Sequence, residues 1–116
     1  MPLTTAYRQG DIVLVSFPFT DLTATKKRPA LVISPDSVNQ LNQDLVLAAI
    51  TSQLTEDEHS LLLQDSDFLE GKLPKKSMIR LVKIFTIHST LILKKIGALK
   101  PPKIDQVLNQ IRRIFS

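Results

Sequence analysis

The chain has 116 residues, 43% of them hydrophobic and 22% charged, with a net charge of +4; that length predicts one domain over 1–116, globular rather than disordered, and small enough for a dimer to help its core. It has no cysteine, which excludes a disulfide scaffold, a thiolate zinc site and a cysteine nucleophile. Two histidines are too few for a histidine-only metal site, a site of carboxylates with one histidine stays open but has no motif to support it, and three glycines leave no glycine-rich phosphate loop; the expectation is no metal and no cofactor. Residues 11–17 (DIVLVSF) follow Gly10, are rich in β-branched types and predict a strand. Residues 18–27 are a polar, threonine-rich loop opened by a proline. A second strand is predicted over 28–34 (RPALVIS), with Pro29 near its start, where a missing N–H is tolerated. A short helix or turn covers 35–43, with Val38 and Leu41 on one side. Residues 45–52 (LVLAAITS) form a nearly unbroken apolar run of strand length, which predicts burial on both faces.

After an acidic connector at 54–58, a short strand is predicted over 60–63 and a loop over 64–76. Two strand-like pieces follow at 77–81 and 84–88, readable as one strand broken at Val82–Lys83. Residues 91–96 read as a short helix, N-capped by Ser89 or Thr90 and ended by Gly97. The last segment is helical: Ile104, Val107, Leu108, Ile111 and Ile114 recur at helical spacing after Pro101–Pro102, with Asp105, Asn109, Arg112 and Arg113 opposite. Five or six short strands without β-α-β alternation predict a mainly β (α+β) fold, a small twisted sheet or barrel with a C-terminal helix. The N-terminus lacks the basic start and apolar run of a signal peptide, and the longest apolar stretch, 45–50, falls far below the ~18 residues of a membrane span. A soluble, cytoplasmic protein is expected.

Charge is distributed unevenly. Residues 1–71 hold four basic and ten acidic groups, net −6; residues 72–116 hold eleven basic groups and one acid, Asp105, net +10. A basic face of this kind suits nucleic acid or an acidic protein, with solvated lysines as the plainer explanation. Two short motifs stand out. Lys26-Lys27-Arg28-Pro29 reads as a charge cluster capping a strand, or as a guanidinium set on a rigid element beside a polar loop, suited to gripping phosphate bidentately. Thr51-Ser52 ends the apolar run, either as an ordinary polar strand end or as hydroxyl donors held by a core strand.

The strings GDIVLVSFPFTDLTATKKRPALVIS, LAAITSQ and SMIRLVKIFTIHSTLILKKIGAL, in that order, resemble the PemK/MazF toxins of type II toxin–antitoxin systems over residues 8–99. The most specific parts are G-D-I-V, K-R-P-A-L-V-I-S and A-A-I-T-S. The resemblance implies an SH3-like barrel, a homodimer and a metal-independent endoribonuclease. Such an enzyme cuts single-stranded RNA to a 2′,3′-cyclic phosphate and a 5′-hydroxyl. It also implies an acidic antitoxin as partner, and DNA contact only within the toxin–antitoxin complex. On this resemblance Arg28 and Thr51 are the catalytic pair. The loop 19–27, with Phe19, Thr20, Lys26 and Lys27, contacts RNA together with Ser52, Ser77 and Lys83. Phe19 is a candidate stacking residue, with a core position as the alternative.

The chemistry fits those residue types. When a ribose 2′-OH attacks its own 3′-phosphate, negative charge builds on the non-bridging oxygens. A pre-placed guanidinium and hydroxyl stabilise it without a metal. Arginine, with a pKa above ~12, is a poor general base. The candidates for that role are Asp21, the carboxylate of the loop, and His88, which stands where relatives often carry an aspartate. Val82 also departs from the acidic residue often found there, so base recognition is expected to differ. Two other functions remain open: a non-catalytic nucleic-acid- or protein-binding module, and a gyrase-inhibiting toxin on the same fold. The first would bind RNA with steep salt dependence and never cut it.

Overall fold

The apolar segments of the chain pair as seven strands in one antiparallel sheet. The computed structural model describes residues 7–18, 25–41 and 43–116. In chain order the elements are β1 (Asp11–Pro18), β2 (Thr25–Val32), α1 (Asp36–Leu41), β3 (Asp44–Thr51), β4 (Ser60–Leu63), β5 (Phe68–Gly71), β6 (Ser77–His88), β7 (Ile92–Leu99) and α2 (Pro101–Ile114). Single 3₁₀ turns precede β5 and β7. The spatial order is β4-β6-β3-β2-β1-β7-β5, and the sheet curls into a half-barrel with the C-terminal helix on it. The expected mainly β fold with a closing helix is the one that forms.

Both faces of the sheet are buried, which explains the unbroken apolar run in β3. Its Leu45 and Leu47 join Val13, Val15, Ala30, Val32 and Ile92 on one side. Its Ala48 and Ile50 join Ile12, Leu31, Ile79, Leu81 and Leu99 on the other, where α2 packs. Helix α2 buries Val107, with Ile104, Ile111 and Ile114 partly covered and Asp105, Asn109, Arg112 and Arg113 outward, as the spacing predicts. Gly10, at φ +97°, lies so close beneath the helix that a Cβ there would meet Ile104 Cδ1 at 2.3 Å. The Ile104 side chain could swing aside, but φ +97° is a conformation that L side chains rarely adopt, so the backbone at this position favours glycine.

Three expectations need correction. Residues 91–96 are not helical: β7 runs from Ile92 to Leu99, and the 3₁₀ turn before it is capped by the His88 ring, which accepts the Thr90 N–H. Two register shifts in its pairing with β1 break the period-2 pattern, leaving helix-like spacing in the sequence. Within the expected loop 64–76, residues 68–71 form β5 against β7. Lys26 and Lys27 lie on β2 rather than in a loop, because the β1–β2 pairing runs out to Pro18 opposite Thr25. The expected short helix over part of 35–43 is α1; its buried residue is Asn39, bonded to Ser34, while Leu41 is 85% exposed.

Lys103 of α2 ties one edge of the sheet to the turn that leads to the other. Its Nζ donates to the Leu62 carbonyl of β4 at 3.0 Å and pairs with Asp67 Oδ2 at 3.4 Å, with the side chain 11% exposed. Lys103→Met keeps the aliphatic packing and removes both contacts. It is expected to lower stability by ~1–3 kcal/mol, read from urea unfolding, because a carbonyl and a carboxylate lose their donor.

Lys95 of β7 sits between Glu70 (2.7 Å) and the buried Asp11 (3.5 Å). The Glu70 hydrogen bond, reinforced by the Asp11 charge, holds its pKa above the ordinary 10.5. A lysine raised in the folded state stabilises fully below pH 10.5 and loses that contribution as pH climbs through the folded value. Unfolding curves between pH 9 and ~12 should show an alkaline decline that Lys95→Met flattens.

Candidate functional site

The site begins with a missing hydrogen bond. Ile33, just past β2, donates its N–H to Val46 O of β3 at 2.9 Å. Alternate residues along β2 face the same neighbour, so the backbone of residue 29 faces β3 as well. Residue 29 is proline and has no N–H to give. The β2–β3 ladder ends one residue earlier, at Ala30 opposite Ala49, while β3 continues to Thr51 paired with β6. Where the ladder stops, a cavity of about 550 Å³ opens.

Arg28 and Thr51 both line it, with Lys26, Lys27, Ser52 and Gln53 around them. Arg28 and Thr51 each lie two residues past the last ladder pair, Ala30–Ala49, so side-chain alternation puts both on the face of that pair. The pair is therefore brought together by topology, although 23 residues apart in the chain. Thr51 Oγ1 accepts the Gln53 N–H at 3.1 Å. That bond uses an oxygen lone pair, fixes the hydroxyl in place and leaves its proton to be donated.

The remaining lining comes from the 72–76 segment and from Ser77 at the head of β6. Ser77 is 4% exposed and its Oγ donates to the Lys75 carbonyl at 2.8 Å. Its hydroxyl proton is thereby committed to placing Lys75, whose side chain is exposed at the rim. Lys75 and Gln53 are site residues that sequence reasoning missed. The visible signal was the cluster of lysines at 72, 75 and 76 just before Ser77, which alone reads as a solvated loop. Leu14, Leu73 and Ile96 supply the apolar part of the wall.

Electrostatically the cavity is one-sided. It is lined by Lys26, Lys27, Arg28 and Lys75, and by no carboxylate among the described residues. Lys27, Arg28 and Lys75 form no ion pair among the described residues. Three unneutralised cations in one concavity are an anion site waiting for charge. Among the described residues, no group of three or more histidines and carboxylates is gathered as a metal site would require.

Two residues singled out from the sequence stand elsewhere. His88 is opposite Asp44 at the far end of β6, whereas Thr51 is opposite Met78. The seven-residue offset along β3 is roughly 23 Å at ~3.3 Å per residue. Its ring nitrogens are held by Thr90 Oγ1 at 2.8 Å and Gln43 Oε1 at 2.6 Å. Lys83 lies in a β6 bulge: Arg80 pairs with Ala49 and Ile84 with Ala48, so residues 81–83 have no β3 partner. It does not line the cavity. Phe19, Thr20 and Asp21 lie outside the described residues.

Comparison with known proteins follows the same lines. Residues 8–115 match the family described as PemK-like, MazF-like toxin of type II toxin–antitoxin systems. No curated protein matches the sequence. Among solved structures, an endoribonuclease from a mycobacterial species aligns with a TM-score of 0.76 at 16% identity, over 98% of this chain and 95% of that one. A MazE–MazF complex from Deinococcus radiodurans aligns at 0.79 and 14% identity, over 96% and 97%. The Mycobacterium tuberculosis toxin MazF-mt6 aligns at 0.73 and 19% identity, over 90% and 95%. At these identities the likeness is one of fold, and it spans nearly the whole of each chain.

Proposed function

From the premise that this chain belongs to the PemK-like, MazF-like toxin family of type II toxin–antitoxin systems, we propose that it is an endoribonuclease acting on single-stranded RNA without a metal, with Arg28 and Thr51 at the scissile phosphate. The observation that carries this reading is that Arg28 and Thr51 line one cationic cavity free of carboxylates among the described residues. Solved relatives of the same fold include an endoribonuclease and toxin–antitoxin complexes.

The ribose 2′-oxygen attacks the adjacent phosphorus, the P–O5′ bond breaks, and the products carry a 2′,3′-cyclic phosphate and a 5′-hydroxyl. The proton lost by the 2′-OH goes to a base, and one proton is delivered to the leaving 5′-oxygen. Charge accumulates on the two non-bridging oxygens as the pentavalent state forms. The planar Arg28 guanidinium grips them with parallel N–H bonds. The Thr51 hydroxyl, oriented by Gln53 N–H, adds a third donor. Lys27 and Lys75 draw the strand into the cavity and hold flanking phosphates. The base is assigned to Asp21, the one carboxylate in the connection that leads into Lys26; the position of His88 gives that residue no support in this role.

The protein partner is an acidic antitoxin, whose negative segment competes with RNA for the same cations, and the toxin acts as a homodimer, a common way for a chain this short to bury more surface. The test of the central reading is digestion of a single-stranded RNA in excess EDTA with end-group mapping. Cleavage with cyclic phosphate and 5′-hydroxyl ends is expected. Intact RNA, or cleavage that EDTA stops, would reject it.

A further inference from the structure

A second cavity, of about 520 Å³, adjoins the first. Leu73, Pro74, Lys75 and Ser77 line both, so the two are separated only by this short ridge. Its floor is apolar, made by the buried Leu63 and Phe68 together with Leu73. Its rim carries Lys72 and Lys76 on one segment, and Gln64 and Asp65 on the turn after β4. Lys72, Lys75 and Lys76 form no ion pair among the described residues.

We propose that this second cavity is a nucleotide subsite, which seats a base next to the scissile step of the RNA and reads it through Asp65 and Gln64. The inference rests on the ribonuclease reading above and adds to it a specificity pocket. The argument is one of matching chemistry. A nucleotide presents an apolar face, a polar edge and an anion. The floor accepts the face, since every base has a flat surface that tolerates apolar packing. Asp65 is an acceptor suited to an exocyclic amino group, as on cytosine, adenine or guanine, and Gln64 offers both a donor and an acceptor. Lys75 stands on the shared ridge, where the phosphate linking the two nucleotides must cross. Lys72 and Lys76 meet the charge beyond it. Asp65 repels a carboxylate and a phosphate alike; the mixed rim favours a nucleotide because its base edge brings an amino donor for Asp65, which acidic side chains lack.

The experiment compares the full-length wild type, the double variant Lys72→Ala/Lys76→Ala, the variant Asp65→Asn and a charge-matched control, Arg112→Ala/Arg113→Ala, on the outer side of α2. Binding is measured on an RNA blocked by one 2′-deoxy sugar at the scissile nucleotide, and cleavage on the all-ribose RNA. The lysine double variant should bind about tenfold more weakly, with the salt slope reduced by about 1.4 for two lost phosphate contacts on a single strand. The control should behave as wild type. Asp65→Asn should change the base preferred at one position flanking the cut, seen by sequencing the ends from a randomised RNA. Wild-type cleavage with no difference between the lysine variant and the control, and an unchanged base preference in Asp65→Asn, would overturn the subsite and leave the ribonuclease reading standing. A wild type that neither binds nor cuts RNA would overturn both.

Discussion

Replacing Arg28 by alanine is expected to slow RNA cleavage ~10²–10³-fold, the usual effect of removing one donor from a developing oxyanion. Growth arrest on expression should disappear with it. The fold should be unaffected: Arg28 is exposed on β2, just past the end of the β2–β3 ladder, and forms no ion pair among the described residues, so the stability change should stay within about ±0.5 kcal/mol. The combination of single-turnover cleavage and a thermal melt therefore separates chemistry from folding. Arg28→Lys is a sharper probe. It keeps the charge and loses the planar fork, so it should retain binding and recover only part of the rate. An alanine variant that cuts as fast as wild type would remove Arg28 from the mechanism.

The second large effect lies in the substrate. A single 2′-deoxy sugar at the scissile nucleotide removes the attacking group, and cleavage at that position should fall below detection. Binding should persist within a few-fold, because Lys27, Arg28 and Lys75 address phosphate oxygens, which the substitution leaves alone. The same logic makes single-stranded DNA a competitive inhibitor that is never cut. A deoxy-blocked RNA that is still cleaved at the blocked step would require a different nucleophile, and with it a different arrangement of roles.

Much of this could be read from the residues alone, and the failures have physical causes. The first two strands were legible from their β-branched and apolar composition, β3 from an unbroken apolar run of strand length, and α2 from apolar residues that keep a helical period over several turns. The β6 bulge was legible as a break at Val82–Lys83, since the polar lysine interrupts the pattern where the backbone leaves the ladder. β7 was not, because its two register shifts against β1 scramble the alternation of LILKKIGAL. β5 was not, because four residues with a glycine at φ +71° have too little pattern to show and depend on β7 for pairing. In the site, Arg28 and Thr51 stood out through the K-R-P-A and A-A-I-T-S motifs that carry the family resemblance; residue types alone left each open to a plain structural reading. Lys75 did not, since its role depends on a tertiary approach of the 72–76 segment that no local spacing encodes. His88 was misleading for the complementary reason. Its sequence neighbourhood resembles a functional one, yet a twelve-residue strand carries it to the opposite end of the sheet.

The uncompensated charge beside Pro29 has a kinetic consequence. Coulomb attraction does not distinguish a strand that is about to be cut from one that has just been cut, and the fragment ending in a cyclic phosphate remains an anion. On the ribonuclease reading, departure of the fragments rather than bond breaking becomes the slow stage of multiple turnover at low ionic strength. Moderate salt should then speed steady-state turnover even as it weakens first encounter, giving an optimum where capture and release are balanced.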